Sequence, residues 1–136
     1  MPELSPVTRV ETIQRFYEAW NSPDAVADTL EFLHEDFEYV NPDSAVEPGT
    51  RKGHAGWKKV GQSAQSAFSN MNVDLLELIE VDDDRVLGLT IFEACGRDSG
   101  VALKVPEQHL FTFRDDKIVR LQWWHDEAAA RQAAGL

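Results

Sequence analysis

The second half of the chain contains four runs rich in branched and aromatic residues, with short turn signals between them. The runs cover about residues 73–81, 85–94, 101–113 and 117–125. The turns contain the segments DDD, CGRDSG and RDDK. Connections this short join antiparallel neighbours, so the sequence predicts a four-stranded meander. Everything before it must pack against that sheet.

Three helices are predicted ahead of the meander, because apolar residues recur at helical spacing in segments 8–20, 22–33 and 54–68. Ser22 is a good N-cap for the second of them. Residues 36–41 alternate as a short strand that Pro42 ends.

Residues 49–53 are predicted to form a turn. After the meander, Asp126 is the predicted cap of a short helix that ends at Gly135. The whole pattern predicts one α+β domain over residues 8–136, with helices on one face of a curved sheet. Residues 1–7 are expected to be a disordered N-terminus.

The charge of the chain limits its partners. The sequence has 24 acidic and 13 basic residues and a formal charge of −11. This opposes nucleic acid and membrane surfaces as partners and favours a small molecule. The longest apolar runs, such as VLGLTIF, are too short to span a bilayer, and the start lacks the pattern of a signal peptide, so a cytoplasmic location is expected.

No metal or cofactor is expected. Cys95 is the single cysteine, which excludes an intrachain disulfide and a cysteine-based metal site. The four histidines show no spacing typical of metal ligands.

The segment 85–94 is apolar on both of its faces. Helices on one face of the sheet would leave three side chains on the other face exposed to solvent: Leu87, Leu89 and Ile91. An exposed patch of this kind is typical of a contact surface, which predicts a homodimer through the outer face of the sheet.

The segment EQHLFTF places an acid and an imidazole in line with phenylalanines. On an extended chain Glu107, His109, Phe111 and Phe113 share one side. That side is therefore exposed at one end, or it lines a cavity that uses polar groups.

Four segments resemble, in order and spacing, the SnoaL-like branch of the nuclear transport factor two-like superfamily. They are IQRFYEAWNSPD, FLHEDFEYVNP, RKGHAGW and HLFTFRDDKIVRLQWWHDEAA. The superfamily includes polyketide cyclases, ketosteroid isomerase and limonene epoxide hydrolase. The resemblance implies a cystatin-like α+β roll, in which three helices and a curved antiparallel sheet form a cone around an apolar pocket. It also implies frequent dimerisation through the sheet.

This sequence lacks the acid and base residues of two enzymes of the superfamily, ketosteroid isomerase and limonene epoxide hydrolase. Matching the segments to ketosteroid isomerase puts Phe16, Asn41 and His109 at the places of its tyrosine donor, its aspartate base and its aspartate donor. In limonene epoxide hydrolase a tyrosine and an asparagine hold the attacking water, and Tyr39 and Asn41 resemble that pair. Its arginine and two aspartates are replaced here by Thr90, Phe92 and Trp123.

The same resemblance implies that His109 faces the pocket. Glu107 is close enough along the strand to orient its imidazole. Tyr39 and Asn41 are predicted donors to a developing oxyanion. The predicted walls of the pocket are Phe16, Trp20, Trp57, Phe92, Phe111, Trp123 and His125.

Two functions are compatible with these residues. The first is a cofactor-independent enzyme of the cyclase, isomerase or dehydratase kind, which moves a proton on a small apolar carbonyl compound through His109. The second is a non-catalytic binding protein for a small hydrophobic ligand. The missing acid–base sets favour binding, whereas the inward polar groups favour an enzyme.

Overall fold

The structure is a computed structural model that describes residues 6–45 and 47–136, with side chains from residue 9 onward. Its elements in chain order are α1 (Pro6–Trp20), α2 (Ala25–Thr29), a 3-10 turn (Leu30–Phe32), β1 (Leu33–Asn41), β2 (Gly49–Lys52), α3 (Gly53–Ala67), β3 (Phe68–Glu80), β4 (Arg85–Gly96), β5 (Ala102–Arg114), β6 (Lys117–Trp124) and α4 (Glu127–Ala134). Within the described part of the chain, no helix is long and apolar enough to cross a membrane.

Six strands form one sheet in the order β2-β1-β6-β5-β4-β3. The predicted meander β3 to β6 is present and antiparallel throughout. The α+β class is confirmed, but the sheet is mixed and not purely antiparallel. The reason is that β1 joins the free edge of the meander parallel to β6, its last strand.

Two local predictions before the meander were wrong. Residues 49–52 form β2 and not a turn, since they pair with β1 from Glu38 to Asn41. Ser22 does not cap α2: its hydroxyl donates to the Ala19 carbonyl and to Asp28, and Asp24 takes the capping position.

The first two helices also differ from their predicted bounds. Helix α2 ends at Thr29, because the chain tightens into the 3-10 turn and then enters β1. Helix α1 begins at Pro6, two residues before its predicted start. Of the N-terminus predicted to be disordered, residues 1–5 lie outside the described residues.

Helices α1 and α3 pack on one face of the sheet, and α2 connects them. The largest core cluster lies between these helices and the sheet. Its fully buried aromatic members are Phe16, Phe37 and Phe111, and Trp57 is nearly so. Close-packed rings of this size hold α1 and α3 at fixed positions, which fixes the space left between them.

Helix α4 covers the opposite face of the sheet. The Asp126 side chain accepts a hydrogen bond from the Ala128 N–H at 3.0 Å, and Gly135 ends the helix with a φ of 83°, so both predicted caps are confirmed. Ala130 and Ala134 pack on Leu87 and Leu89.

The expectation that Leu87 and Leu89 are wet was therefore wrong, because the chain's own last helix buries them to 0% and 8% exposure. Ile91, farther along β4, is only partly buried. The homodimer stays a prediction, without these two leucines as its contact.

Candidate active site

A cavity of about 720 Å³ lies between the helices and the sheet. Five of the seven predicted wall residues line it, together with Tyr39 and Glu107. These five are Trp20, Trp57, Phe92, Trp123 and His125. The volume and the aromatic lining are those of a site for a small organic molecule.

Phe16 and Phe111 do not line the cavity. Both rings are fully buried and meet edge to face, with centroids 5.7 Å apart. Trp20, one turn farther along α1, packs against Phe16 at 5.3 Å and is itself part of the cavity wall. The two phenylalanines therefore support the wall from behind, which corrects their predicted role.

Glu107 and His109 are joined as their alternation on β5 predicts. Glu107 Oε1 lies 2.7 Å from His109 Nε2. The Glu107 side chain is 13% exposed and lines the cavity, whereas His109 is completely buried. Trp20 stacks on the imidazole at 5.3 Å. The carboxylate therefore faces the cavity, and the imidazole lies behind it.

Thr90 holds the backbone of Glu107 in place. These two residues are register partners on β4 and β5, and the Thr90 hydroxyl donates to the Glu107 carbonyl at 2.6 Å. Thr90 is 1% exposed. The carboxylate thus projects from a braced strand and not from a loop, which gives it a fixed direction.

Tyr17 completes the group and was missed in the sequence. Its hydroxyl lies 2.6 Å from His109 Nδ1 in a buried contact. The signal was present: Tyr17 shares the apolar stripe of α1 with Ile13 and Trp20, and a phenol on a buried stripe usually finds a hydrogen-bond partner. The residues Tyr17, His109 and Glu107 are named the buried triad below.

The protons of the buried triad follow from Tyr17. Burial, and secondly the charge of Glu107, raise the pKa of the Tyr17 phenol well above its usual value, so the hydroxyl keeps its proton. We assign this proton to the hydrogen bond with His109, so that the Tyr17 hydroxyl donates and Nδ1 accepts as the unprotonated nitrogen. In this assignment Nε2 carries the imidazole proton and donates it to the Glu107 carboxylate.

Gly88 leaves the space that Tyr17 occupies. It is the register partner of His109, and a Cβ at this position would lie 2.8 Å from the Tyr17 hydroxyl oxygen. A contact this short forces the phenol to move. Any side chain at position 88 therefore competes with the hydrogen bond between Tyr17 and His109.

A double-mutant cycle tests this contact. Tyr17→Phe removes only the hydroxyl and leaves Nδ1 without its donor, and Gly88→Ala displaces that hydroxyl. We expect each change to lower the free energy of unfolding by about 1–3 kcal/mol. In the double variant the new methyl fills the space of the lost hydroxyl, so the loss should be smaller than the sum. Urea unfolding measures all four proteins; additive losses would show that the two groups do not meet.

Tyr39 is the second phenol near Glu107. It lines the cavity, and its ring packs against Trp57 with centroids 5.4 Å apart. Burial, followed by the charge of Glu107, raises its pKa well above the usual value. The hydroxyl therefore keeps its proton and can donate a hydrogen bond; its contact with an oxyanion stays a prediction.

The raised pKa values of the two tyrosines predict that the protein unfolds at alkaline pH. Tyr17 and Tyr39 are the only tyrosines, so neither phenolate should form in the folded protein at the pH of about 10 where free tyrosine ionises. The unfolded chain releases these protons and the folded chain keeps them. Stability is thus intact below that pH and falls above it, by up to about 1.4 kcal/mol per pH unit for each tyrosine.

The phenolate absorbance and the tryptophan fluorescence, followed together during an alkaline titration, measure this transition. Both signals should change in one step, as the protein unfolds. A phenol that ionises near its usual pH while the fluorescence stays native would contradict the assigned burial.

Asn41 was predicted to be a hydrogen-bond donor in the pocket, but it does not line the cavity. Its Oδ1 accepts from Trp123 Nε1 at 2.8 Å, and its Nδ2 donates to the Glu47 carbonyl at 2.8 Å. It lines a separate surface groove beside Pro42. Asn41 therefore orients the wall residue Trp123 and does not face a substrate.

His125 lines the cavity, and its exposed ring lies 5.1 Å from the Trp123 ring, measured between centroids. Its Nδ1 is 3.1 Å from the Pro106 carbonyl, the residue before Glu107. In the described part of the chain, no three histidine, cysteine, aspartate or glutamate side chains are arranged to hold a metal ion.

Solved structures share this fold. TerC, crystallised with polyporic acid, is 26% identical with a TM-score of 0.77, over 94% of this chain and 98% of TerC. A Jannaschia sp. CCS1 protein described as a SnoaL-like polyketide cyclase is 19% identical with a TM-score of 0.77, over 98% of this chain and 97% of that one.

A Catenulispora acidiphila protein with a ketosteroid isomerase-like fold, in complex with trimethylamine, is 16% identical with a TM-score of 0.75. That match covers 98% of this chain and 95% of the other. These two lower identities show the fold alone. No curated protein sequence matches the chain significantly.

The family comparison is more specific than the shared fold. The SnoaL-like domain matches residues 13–121, a range that holds all three members of the buried triad and Tyr39. The chain therefore belongs to the SnoaL-like domain family.

Proposed function

We propose that this protein is a cofactor-independent enzyme that transfers a proton next to a carbonyl group of a small apolar compound, with Glu107 as the base. The observation that carries the proposal is the placement of one carboxylate on the cavity wall, hydrogen-bonded from behind by His109 and, through it, to Tyr17.

Glu107 replaces His109 as the proposed base for a geometric reason. Both imidazole nitrogens have protein partners, at 2.6 and 2.7 Å, and the ring is completely buried. A substrate in the cavity cannot reach either nitrogen. Glu107 has a second carboxylate oxygen for which no hydrogen bond within the described residues competes, and general bases must lie within reach of the proton they remove.

His109 and Tyr17 are positioning residues in this scheme. The Nε2 proton holds one carboxylate oxygen and so fixes the direction of the other. The Tyr17 proton holds the imidazole in the tautomer that donates to Glu107. This support comes from fully buried groups on a helix and a strand, which keeps the geometry tight.

The proposed step begins with proton removal by Glu107 and ends with return of that proton. The Glu107 carboxylate takes a proton from the carbon next to the substrate carbonyl, and the electron pair of that C–H bond forms the enolate. The negative charge develops on the carbonyl oxygen, where the Tyr39 hydroxyl donates a hydrogen bond. Return of the proton from Glu107 to another carbon gives an isomer; delivery to a leaving hydroxyl gives water and a dehydrated product.

Family membership supports this chemistry without naming the substrate. The chain belongs to the SnoaL-like domain family, and TerC, which is 26% identical to it, was crystallised with polyporic acid. The aromatic walls of the cavity accept a flat molecule of similar chemistry, because ring faces stack on Trp20, Trp57 and Trp123.

A neutral aryl methyl ketone tests the proposal. The probe is the carboxamide of para-acetylbiphenyl carboxylic acid, in which the acetyl and carboxamide groups stand at opposite ends of the biphenyl. In D₂O the folded protein should speed the exchange of the acetyl methyl protons for deuterium, measured by proton NMR, above the buffer rate. Binding of the probe without faster exchange would overturn the proposal and favour the non-catalytic binding protein.

A further inference from the structure

The cavity wall carries a single fixed positive charge. Among its lining residues in the described part of the chain, Arg97 is the only arginine or lysine and Glu107 the only carboxylate. The chain as a whole has nearly twice as many acidic as basic residues, 24 against 13. One cation and one anion on an otherwise uncharged wall divide the cavity into two chemically different ends.

Arg97 is held at its end of the cavity by helix α3. Its backbone N–H donates to the Ala67 carbonyl at 3.0 Å, and its Nε donates to the Gln65 carbonyl. These carbonyls belong to the C-terminal turn of α3, which attracts cations. A guanidinium fixed through Nε still has both terminal nitrogens for a ligand.

The guanidinium has no counter-charge of its own. None of the ion pairs between described residues includes Arg97, whereas five other arginines each pair with a carboxylate: Arg9, Arg51, Arg85, Arg114 and Arg131. Arg15 and Arg120 make no such pair within the described part of the chain either, but neither of them lines the cavity. An unneutralised arginine at the edge of an apolar cavity attracts an anionic ligand group.

The two charged ends are far apart. Arg97 directly follows the last residue of β4, Gly96, and Glu107 pairs with Thr90 six positions earlier on that strand. Arg97 is thus seven positions beyond Thr90, and at roughly 3.3 Å per residue about 23 Å of backbone separates it from the position of Glu107. The inward side chains between them are apolar: Phe92, Leu103 and Val105.

We propose that Arg97 is a specificity-determining residue that binds a carboxylate or another anionic group of the substrate. The substrate class is then an elongated aromatic keto acid, with its acid at Arg97, its flat body on the apolar strip and its reacting carbonyl at Glu107. This rests on the proposed function, because it names the substrate class of the same site. The local positive charge, and not the net charge of −11, decides the ligand.

Paired ligands test this inference by binding alone. The probes are para-acetylbiphenyl carboxylic acid and its carboxamide, which differ in charge but hardly in shape, with affinities from calorimetry. Because Arg97 is exposed, the acid should bind about two- to fivefold more tightly than the amide, as expected for one exposed ion pair. Added salt should weaken the binding of the acid and leave the binding of the amide unchanged.

Arg97→Gln should remove the preference for the acid and leave the affinity of the amide unchanged. Arg120→Gln is the matched control, because Arg120 is an exposed arginine on β6 that does not line the cavity. It should keep the preference. Equal affinities of acid and amide for the unaltered protein, including failure of both to bind, would overturn the inference, as would equal weakening of both by Arg97→Gln.

The outcome is separable from that of the proposed function. An Arg97-dependent preference without deuterium exchange would support the inference and contradict Glu107 as a base. Exchange that is equal for acid and amide and unchanged in Arg97→Gln would support the base and overturn the inference.

Discussion

Glu107→Gln should slow deuterium exchange at the acetyl methyl group by about a hundredfold to ten-thousandfold, the usual contribution of a positioned general base. Glutamine keeps the size of the side chain and can still accept from His109 Nε2, so the fold and the affinity for the carboxamide probe should be retained. Only the ability to take a proton is lost. Initial exchange rates at saturating probe, measured by proton NMR, give the effect directly.

Two further variants make this result specific. Glu93→Gln is the control: Glu93 is a carboxylate on the same sheet, but it pairs with Lys104 and does not line the cavity, so its exchange rate should be normal. Tyr17→Phe should lower the rate moderately, by roughly tenfold. The Glu107 carboxylate is still present at the cavity wall, but His109 then holds it less rigidly. An unaltered rate in Glu107→Gln would remove this residue from the chemistry.

Phe16→Ala should lower the free energy of unfolding by about 3–5 kcal/mol, the usual cost of truncating a large buried ring. Phe16 is completely buried and contacts Trp20, Phe32, Trp57 and Phe111 within 6.5 Å between ring centroids. The cavity left behind cannot collapse, because those rings belong to different elements.

The matched comparison is Phe92→Ala, which truncates a ring that is partly exposed and lines the cavity. Its stability loss should be clearly smaller than that of Phe16→Ala, and its weakening of the biphenyl probes larger. Urea unfolding with an unchanged m-value measures the first quantity, and calorimetry the second. Equal stability losses would contradict the assignment of Phe16 to the core and Phe92 to the wall.

The sequence predicted those features that depend on local periodicity. The alternation along β5 was enough to bring Glu107 and His109 to one side, because a strand repeats every two residues. The caps of α4 followed from Asp126 and Gly135. In both cases the pattern and its consequence lie within a few residues of each other.

Contacts between distant parts of the chain were not predicted from the sequence. The parallel pairing of β1 with β6 and the cover of Leu87 by α4 connect segments about 40 to 80 residues apart, and no local pattern encodes them. The strand β2 is only four residues long and exists because β1 offers it an edge. Its sequence, GTRK, has the composition of a turn.

On helix α1 the resemblance drew attention to Phe16, whereas the polar contact of that helix with β5 is made by the next residue, Tyr17. The resemblance put Phe16 where ketosteroid isomerase has its tyrosine donor, but consecutive residues on a helix point about 100° apart. The phenol that reaches the polar group on β5 is Tyr17. It donates to the protein's own imidazole, and this shifts the proposed base from His109 to Glu107.

The tautomer of His109 tests the central claim most directly. Long-range proton–nitrogen NMR distinguishes protonated from unprotonated ring nitrogens, and His109→Gln assigns the signal among the four histidines. The buried triad predicts a neutral imidazole with its proton on Nε2 and a bare Nδ1 that accepts from Tyr17, and loss of the Tyr17 hydroxyl should perturb Nδ1. A proton on Nδ1, or on both nitrogens at neutral pH, would contradict the assigned direction of both hydrogen bonds and with it the carboxylate base.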